Sequence, residues 1–114
     1  MTVDLKRKTI HPDIAVIEMS GRLLMGPDCK SIEKEIDDVL GKNQKRVILD
    51  FTGVTQIDSA GVGQVVKSFT RIKKAGGELR IAGVKGMLDG VFKMTQVHKA
   101  IAMYPTQQDA SENF

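Results

Sequence analysis

Two hydrophobic periods alternate along this chain, and that alternation limits the folds open to it more than any other feature. Residues 3–10 and 14–19 are short β-prone runs around His11-Pro12-Asp13, whose turn chemistry predicts an antiparallel pair. Gly21 is expected to close the second run. Pro27 then suits the first turn of a helix, with Cys29, Ile32, Ile36, Val39 and Leu40 on one stripe and Gly41 as a stop. Val47-Ile48-Leu49-Asp50-Phe51 is a nearly continuous apolar run, as in a strand covered on both faces. A second stripe, Val62, Val65, Val66, Phe69 and Ile72, ends at Gly76-Gly77. Glu78–Ala82 reads as a strand, and Met87, Leu88, Val91 and Phe92 as a third, shorter helical stripe. Ala100–Tyr104 reads as a last strand before Pro105, and Thr106 with Asp109 as a helix cap. Helix and strand alternate from residue 14 onward. The expected fold is therefore α/β, with a mixed, mostly parallel sheet of about four to five strands and about four helices.

Composition narrows the chemistry. A chain of 114 residues with 41% apolar content can bury one core, so residues 1–114 are expected to form a single domain. The one cysteine, Cys29, excludes an intrachain disulfide and a Cys-rich metal site. No apolar run is long enough for a membrane span. With no Trp, one Tyr and four Phe, a stacking platform for nucleic acid is not expected. Met1–Lys8 shows no apolar stretch after its charges, which points to a cytoplasmic protein. Lys67, Arg71, Lys73, Lys74, Arg80 and Lys85 form a basic segment. They interleave with apolar residues at helical spacing, so a solvated helix face is expected rather than a nucleic-acid site.

In a parallel sheet, functional groups gather beyond the carboxyl ends of the strands. That places candidate loops at 20–27, 52–60, 83–86 and 104–106. The most informative stretch is Gln56-Ile57-Asp58-Ser59-Ala60-Gly61-Val62-Gly63. Ser59 falls near a helix N-cap, and Asp and Ser are both favoured caps. A cap needs only one of them, so a loop-exposed serine beside an aspartate is also a target for an incoming phosphoryl group. Enzymatic readings are weaker. Ile57 stands where a nucleophile elbow needs glycine. His11 belongs to the expected hairpin turn and His98 to a polar stretch, so neither suits as a base for Ser59. There is no phosphate-binding Gly-rich loop ending in Lys-Ser or Lys-Thr, and Gly61-Val62-Gly63 is only part of a dinucleotide fingerprint. Asp37-Asp38, Asp50 and Asp58 show no second catalytic partner. No catalytic residue, cofactor or metal is expected.

The order of elements, with Val47–Phe51, Val54, Ile57-Asp58-Ser59-Ala60-Gly61-Val62-Gly63, Gly76-Gly77-Glu78-Leu79 and Gly21-Arg22-Leu23, resembles the STAS domain. The likeness is strongest to the free-standing anti-sigma-factor antagonists of bacterial partner-switching pathways. It implies a non-enzymatic regulatory protein. Its unphosphorylated form would bind an anti-sigma factor that is also a serine kinase, and phosphorylation at the position of Ser59 would release it. A serine phosphatase would reset the switch. The same resemblance implies a link to transcription regulation and stress response. Ala60 replaces a second hydroxyl residue common in such proteins, and Leu24 stands where many carry an acidic residue.

The expected docking patch is Asp58, Ser59, Ala60, Gly61 and Val62 at the helix start. Leu24, Met25 and Gly26 would form an apolar lip beside it. The protein itself would be a monomer or weak dimer. Three other readings stay open at this point: a STAS subunit docking on a transporter ATPase or signalling scaffold, a nucleotide-binding module, and a small hydrolase using Ser59.

Overall fold

The computed structural model describes residues 3–10 and 13–114. Five strands, β1 (Val3–Ile10), β2 (Ile14–Leu23), β3 (Arg46–Ile57), β4 (Glu78–Ala82) and β5 (Met103–Tyr104), lie side by side in that order. β1 pairs antiparallel with β2, and the later neighbours are all parallel. His11 and Pro12 lie outside the described residues, but the Ile10↔Ile14 register confirms the antiparallel pair. The helices are α1 (Pro27–Gly41), α2 (Ser59–Lys74), α3 (Met87–Met94), α4 (Val97–Ala100) and α5 (Gln107–Ser111).

Strand alternation divides the core between two faces. Ala15, Ile17, Val47, Leu49, Phe51, Leu79 and Ile81 meet α1, α2 and α3 through Ile32, Ile36, Val39, Val62, Val65, Ile72, Leu88 and Phe92. The rings of Phe51 and Phe92 meet edge to face at 5.4 Å. Ile14, Val16, Ile48 and Ala82 form a smaller cluster under Ala110 of α5. Buried Arg80 holds α5 and the residues after it there. Its guanidinium donates to the carbonyls of Ala110, Glu112 and Asn113 at 3.0, 3.0 and 3.2 Å, and lies 4.1 Å from the centre of the Phe114 ring. Gln107 donates to the carboxylates of both Glu18 and Asp50, which fixes the start of α5. Thr106 caps it as expected, accepting from the Asp109 N–H at 3.1 Å.

Several expectations change. β2 does not end at Gly21 but continues to Leu23, and β3 continues from Phe51 to Ile57. Two irregularities, between Glu18 and Ser20 and between Gly21 and Arg22, let the pair twist while staying joined. Residues 100–102 are not strand: Val97–Ala100 is a helical turn, and β5 keeps only Met103 and Tyr104. On α2, Val66 is 40% exposed and Phe69 half-buried, while Gln64 and Ser68 are buried. Ser68 Oγ donates to the Gln64 carbonyl at 2.9 Å, so a polar group occupies the interior at little cost. Met87 is 80% exposed, leaving Leu88 and Phe92 as the buried residues of α3. Of the basic segment, Lys67 and Arg71 pair with Glu33 and Asp37 of α1, and Arg80 is interior. Asp38 likewise pairs with Arg7, so the Asp37-Asp38 pair has partners that the sequence did not reveal.

The two phenylalanines should separate in stability measurements. Phe92→Ala should cost about 3–5 kcal/mol, the usual range for a buried aromatic. Phe69→Ala should cost clearly less, because part of that side chain already meets water. Urea midpoints of the two variants read this directly, and equal shifts would contradict the burial.

Candidate functional site

β2 and β3 run parallel to their last residues, with Leu23 opposite Ile57. The segments leaving them, 24–26 and 58, therefore emerge side by side. The start of α2 is pressed onto this end of the sheet. A Cβ on Gly61 would lie 2.6 Å from the Leu23 carbonyl oxygen and 2.7 Å from Ile57 Cγ1, so no other residue fits without displacing the helix. Gly63 has no such role, since nothing lies within 4 Å of where its Cβ would be.

Asp58 ties the site together. It is the N-cap of α2, and its Oδ1 accepts the Gly61 N–H at 2.8 Å. Its Oδ2 accepts the Met25 N–H at 2.9 Å, so one carboxylate spans both loops. Its own N–H donates to the Leu23 carbonyl at 3.3 Å. The backbone N–H groups of Gly61 and then Met25 hold its carboxyl below the usual carboxylate range. Because Asp58 supplies the cap oxygen, Ser59 at the first helical position is not needed for it and is exposed.

Cys29 closes the site from below. Its Sγ donates to the carbonyls of Leu24 and Ala60 at 3.6 and 3.5 Å, joining the loop after β2 to the first turn of α2. Burial first, then the nearby carboxylates of Asp58 and Asp28, pushes this thiol up. The Leu24 N–H donates to Asp28 at 3.1 Å. Leu24 is half-buried, Met25 is 74% exposed, and Gly26 precedes Pro27 at the start of α1.

The structure thus brings Asp58, Ser59 and Ala60 together with Leu24, Met25 and Gly26. It does not expose all of the expected patch. Gly61 and Val62 are buried and support the surface from beneath, because the helix start lies against the sheet. Ser59 and Met25 are exposed, and Asp58, Ala60, Leu24 and Gly26 are partly so; these six remain available to a partner. Sequence reading missed two ties, the Cys29 thiol and the second oxygen of Asp58. An aspartate before a helix signals a cap, but nothing local shows where its other oxygen points. His98 lies on α4, exposed, with Nδ1 3.4 Å from the Phe92 carbonyl oxygen, while His11 is outside the described residues.

One antiparallel pair opening an otherwise parallel sheet, with a capped helix start beside its carboxyl end, defines a small α/β domain with a loop site at the helix start. The STAS domain family model matches residues 6–110, and the chain belongs to that family. It is similar in fold to an anti-sigma factor antagonist from Mycobacterium paratuberculosis, with TM-score 0.80 and 18% identity over 96% of this chain and 91% of that one. It is also similar to the phosphorylated form of the Bacillus cell fate determinant SpoIIAA, with TM-score 0.73 and 18% identity over 94% and 96% of the two chains. A sulfate transporter family protein from Wolinella succinogenes shares the fold at TM-score 0.71 and 18% identity, covering 90% and 85%. Among the described residues, no helix is long and apolar enough to cross a membrane.

The lowered pKa of Asp58 has a definite sign. A carboxyl whose folded pKa lies below its unfolded value, about 3.9, stabilises fully above that value and loses its effect as pH falls through the folded pKa. Asp58→Ala should therefore cost about 1 kcal/mol near neutrality, as loss of a cap does. The gap between variant and parent should narrow in acid below roughly pH 4. Thermal unfolding across acidic pH measures it. A gap that stays constant would mean that the carboxylate charge contributes nothing.

Proposed function

We propose that this protein is a regulatory binding module whose docking is switched by phosphorylation of Ser59. Its partner on this reading is an anti-sigma factor with serine kinase activity, and a serine phosphatase resets it, in the cytoplasm. The observation that carries the reading is the division of labour at the helix start: Asp58 does the capping, which leaves the Ser59 hydroxyl exposed. Membership in the STAS family and the fold shared with anti-sigma factor antagonists support it.

The physical switch is electrostatic. The unmodified surface of Ser59, Ala60, Met25 and Leu24 has one charge beside it, the Asp58 carboxylate, whose oxygens already accept the Gly61 and Met25 N–H groups, so a partner can cover it without leaving that charge unpaired. Phosphate would add about −1.5 to −2 charge at neutral pH. One added like-charge contact at ~6 Å and an effective dielectric near 20 costs about 3 kcal/mol, roughly 100-fold in affinity. Asp58 adds to the repulsion from its place next to Ser59. The start of α2 tolerates the anion, since its N–H groups and dipole favour negative charge. Docking is then lost while the domain stays folded.

A second reading has its own support. The transporter-family neighbour has the same fold, so a STAS module that docks on a transporter with Ser59 unmodified fits the sheet equally well. Intact mass of the protein from its native host, before and after phosphatase treatment, separates the two. A phosphate mapped to Ser59 supports the switch. A phosphate mapped elsewhere, or none under any growth condition, favours the docking subunit.

Three variants test the surface. Ser59→Ala should bind the kinase partner as the parent does and accept no phosphate there. Ser59→Asp should weaken binding by less than phosphate does, because it brings only about one charge. Leu24→Asp should weaken the same partner at least tenfold, since charge placed in an apolar contact is costly. Calorimetric titration gives the affinity, and a parallel melting curve shows whether Leu24 serves the interface or the core. Unchanged affinity would remove the loop from the interface.

A further inference from the structure

We propose that the end of the domain opposite Ser59 is a contact surface for a membrane of anionic lipid. The parallel strands β3 and β4 start at this end, at Arg46 and Glu78, so the segments that lead into them meet there. The Glu78 N–H donates to the Lys45 carbonyl at 2.8 Å, and the Gly77 N–H donates to the Ile72 carbonyl in α2, also at 2.8 Å. A Cβ on Gly77 would lie 2.2 Å from the Lys45 carbonyl oxygen, so only glycine lets the end of α2 come this close to Lys45. Lys73 and Lys74, in the last turn of α2, are thereby brought to the same end as Lys45. Lys99 reaches it from α4, because the Ile81 N–H donates to the Ala102 carbonyl and holds the segment before β5 beside the start of β4.

All four lysines are exposed, and among the described residues none of them has a carboxylate partner. The acids of this end are already engaged: Glu78 by Arg80, Asp13 by Arg46, and Asp38 by both Arg7 and Lys42. Glu112 lies on the sheet face that α5 covers, where its carbonyl accepts from Arg80. The dipole of α2 favours bases in its last turn, which accounts for Lys73 and Lys74. Lys45 and Lys99 belong to other elements, and no helix end explains their addition to a cluster of like charge.

The chemistry favours lipid headgroups over other polyanions. The arginines that could grip a single phosphate with two bonds are held elsewhere, Arg46 by Asp13, Arg71 by Asp37 and Arg80 by the end of α5. Lysines on flexible stems suit a fluid surface of many phosphates, which asks for charge and no fixed geometry. An apolar side chain stands at the same end. α3 leads from the carboxyl end of β4 back toward the start of β5, and its last residue, Met94, is 80% exposed. That side chain can sink to the headgroup boundary while the ammonium groups stay among the phosphates. Nucleic acid offers Met94 no such apolar layer. The 16 residues of α2, at ~1.5 Å each, would then hold Ser59 roughly 24 Å from the lipid, open to a partner in solution. The proposal needs no modification of Ser59 and stands apart from the switch.

The test is cosedimentation of the full chain with vesicles of phosphatidylcholine alone and of phosphatidylcholine mixed equally with phosphatidylglycerol. The chain should bind the mixed vesicles and not the neutral ones. Raising the salt from about 0.1 M to about 1 M, which shortens the screening length from ~10 Å to ~3 Å, should release it. Lys73→Gln combined with Lys99→Gln should lower the partition coefficient about tenfold or more, since each lysine at an anionic surface contributes about fivefold. Lys30→Gln combined with Lys85→Gln removes the same charge from the Ser59 end and should change it far less. All four side chains are exposed, so melting temperatures should match the parent. If the first pair melts lower, Lys45→Gln combined with Lys74→Gln takes its place. Met94→Gln should weaken binding severalfold with the same salt dependence. No binding to the mixed vesicles, equal losses from the two lysine pairs, binding indifferent to salt, or Met94→Gln partitioning as the parent does would overturn the proposal. So would tighter binding to an RNA oligomer in the same buffer, because this end would then serve nucleic acid.

Discussion

The parallel pairing of β2 and β3 is the constraint on which the site rests. These two strands stay in register to Leu23 and Ile57, beyond the point where β4 has left. Their common end fixes the spacing of the two segments that leave it. Gly61 then allows the first turn of α2 to sit directly against that end, with the Leu23 carbonyl where a side chain would otherwise be. Had β2 stopped at Gly21, the loop after it would not reach the start of α2, and neither the Asp58–Met25 bond nor the Cys29 contacts would form.

On that frame a single carboxylate does two jobs. The Gly61 N–H it accepts is one of the unpaired donors of the helix start, and the Met25 N–H belongs to a neighbouring loop. Both bonds favour the ionised form, which is why the carboxyl titrates low. An exposed serine immediately after such a cap stands at the positive end of a helix dipole without being engaged by it. A modification there changes the charge of the surface and leaves the supporting hydrogen bonds alone.

Several charges elsewhere in the structure find their own partners. Lys67 and Arg71 are drawn to Glu33 and Asp37, lacing α2 to α1, although exposed pairs of this kind contribute little to stability. Arg80 is withdrawn to the opposite face, where it gathers the carbonyls of the last residues and packs against Phe114 and Tyr104. What looks along the chain like one basic segment is thus divided, with Lys67 and Arg71 on the α1–α2 face and Arg80 on the other side of the sheet.

The alternating periods of the sequence determined the α/β class, the antiparallel start, the helices α1 to α3 and the capped beginnings of α2 and α5. These are local properties: apolar spacing, turn residues and cap chemistry act over a few residues. The Asp58-Ser59 motif was legible for the same reason. Tertiary structure decided how far the strands run, because a strand continues wherever a neighbour satisfies its backbone, and β2 supplies that neighbour for 52–57. It decided that Val66 and Met87 face water and that Gln64 and Ser68 face inward, since the apolar stripe shows a helix's face only to within a residue position. It decided the partners of Cys29 and of the second Asp58 oxygen, which come from segments some thirty positions apart. No spacing along the chain encodes such contacts; they exist only once β2 and β3 have paired.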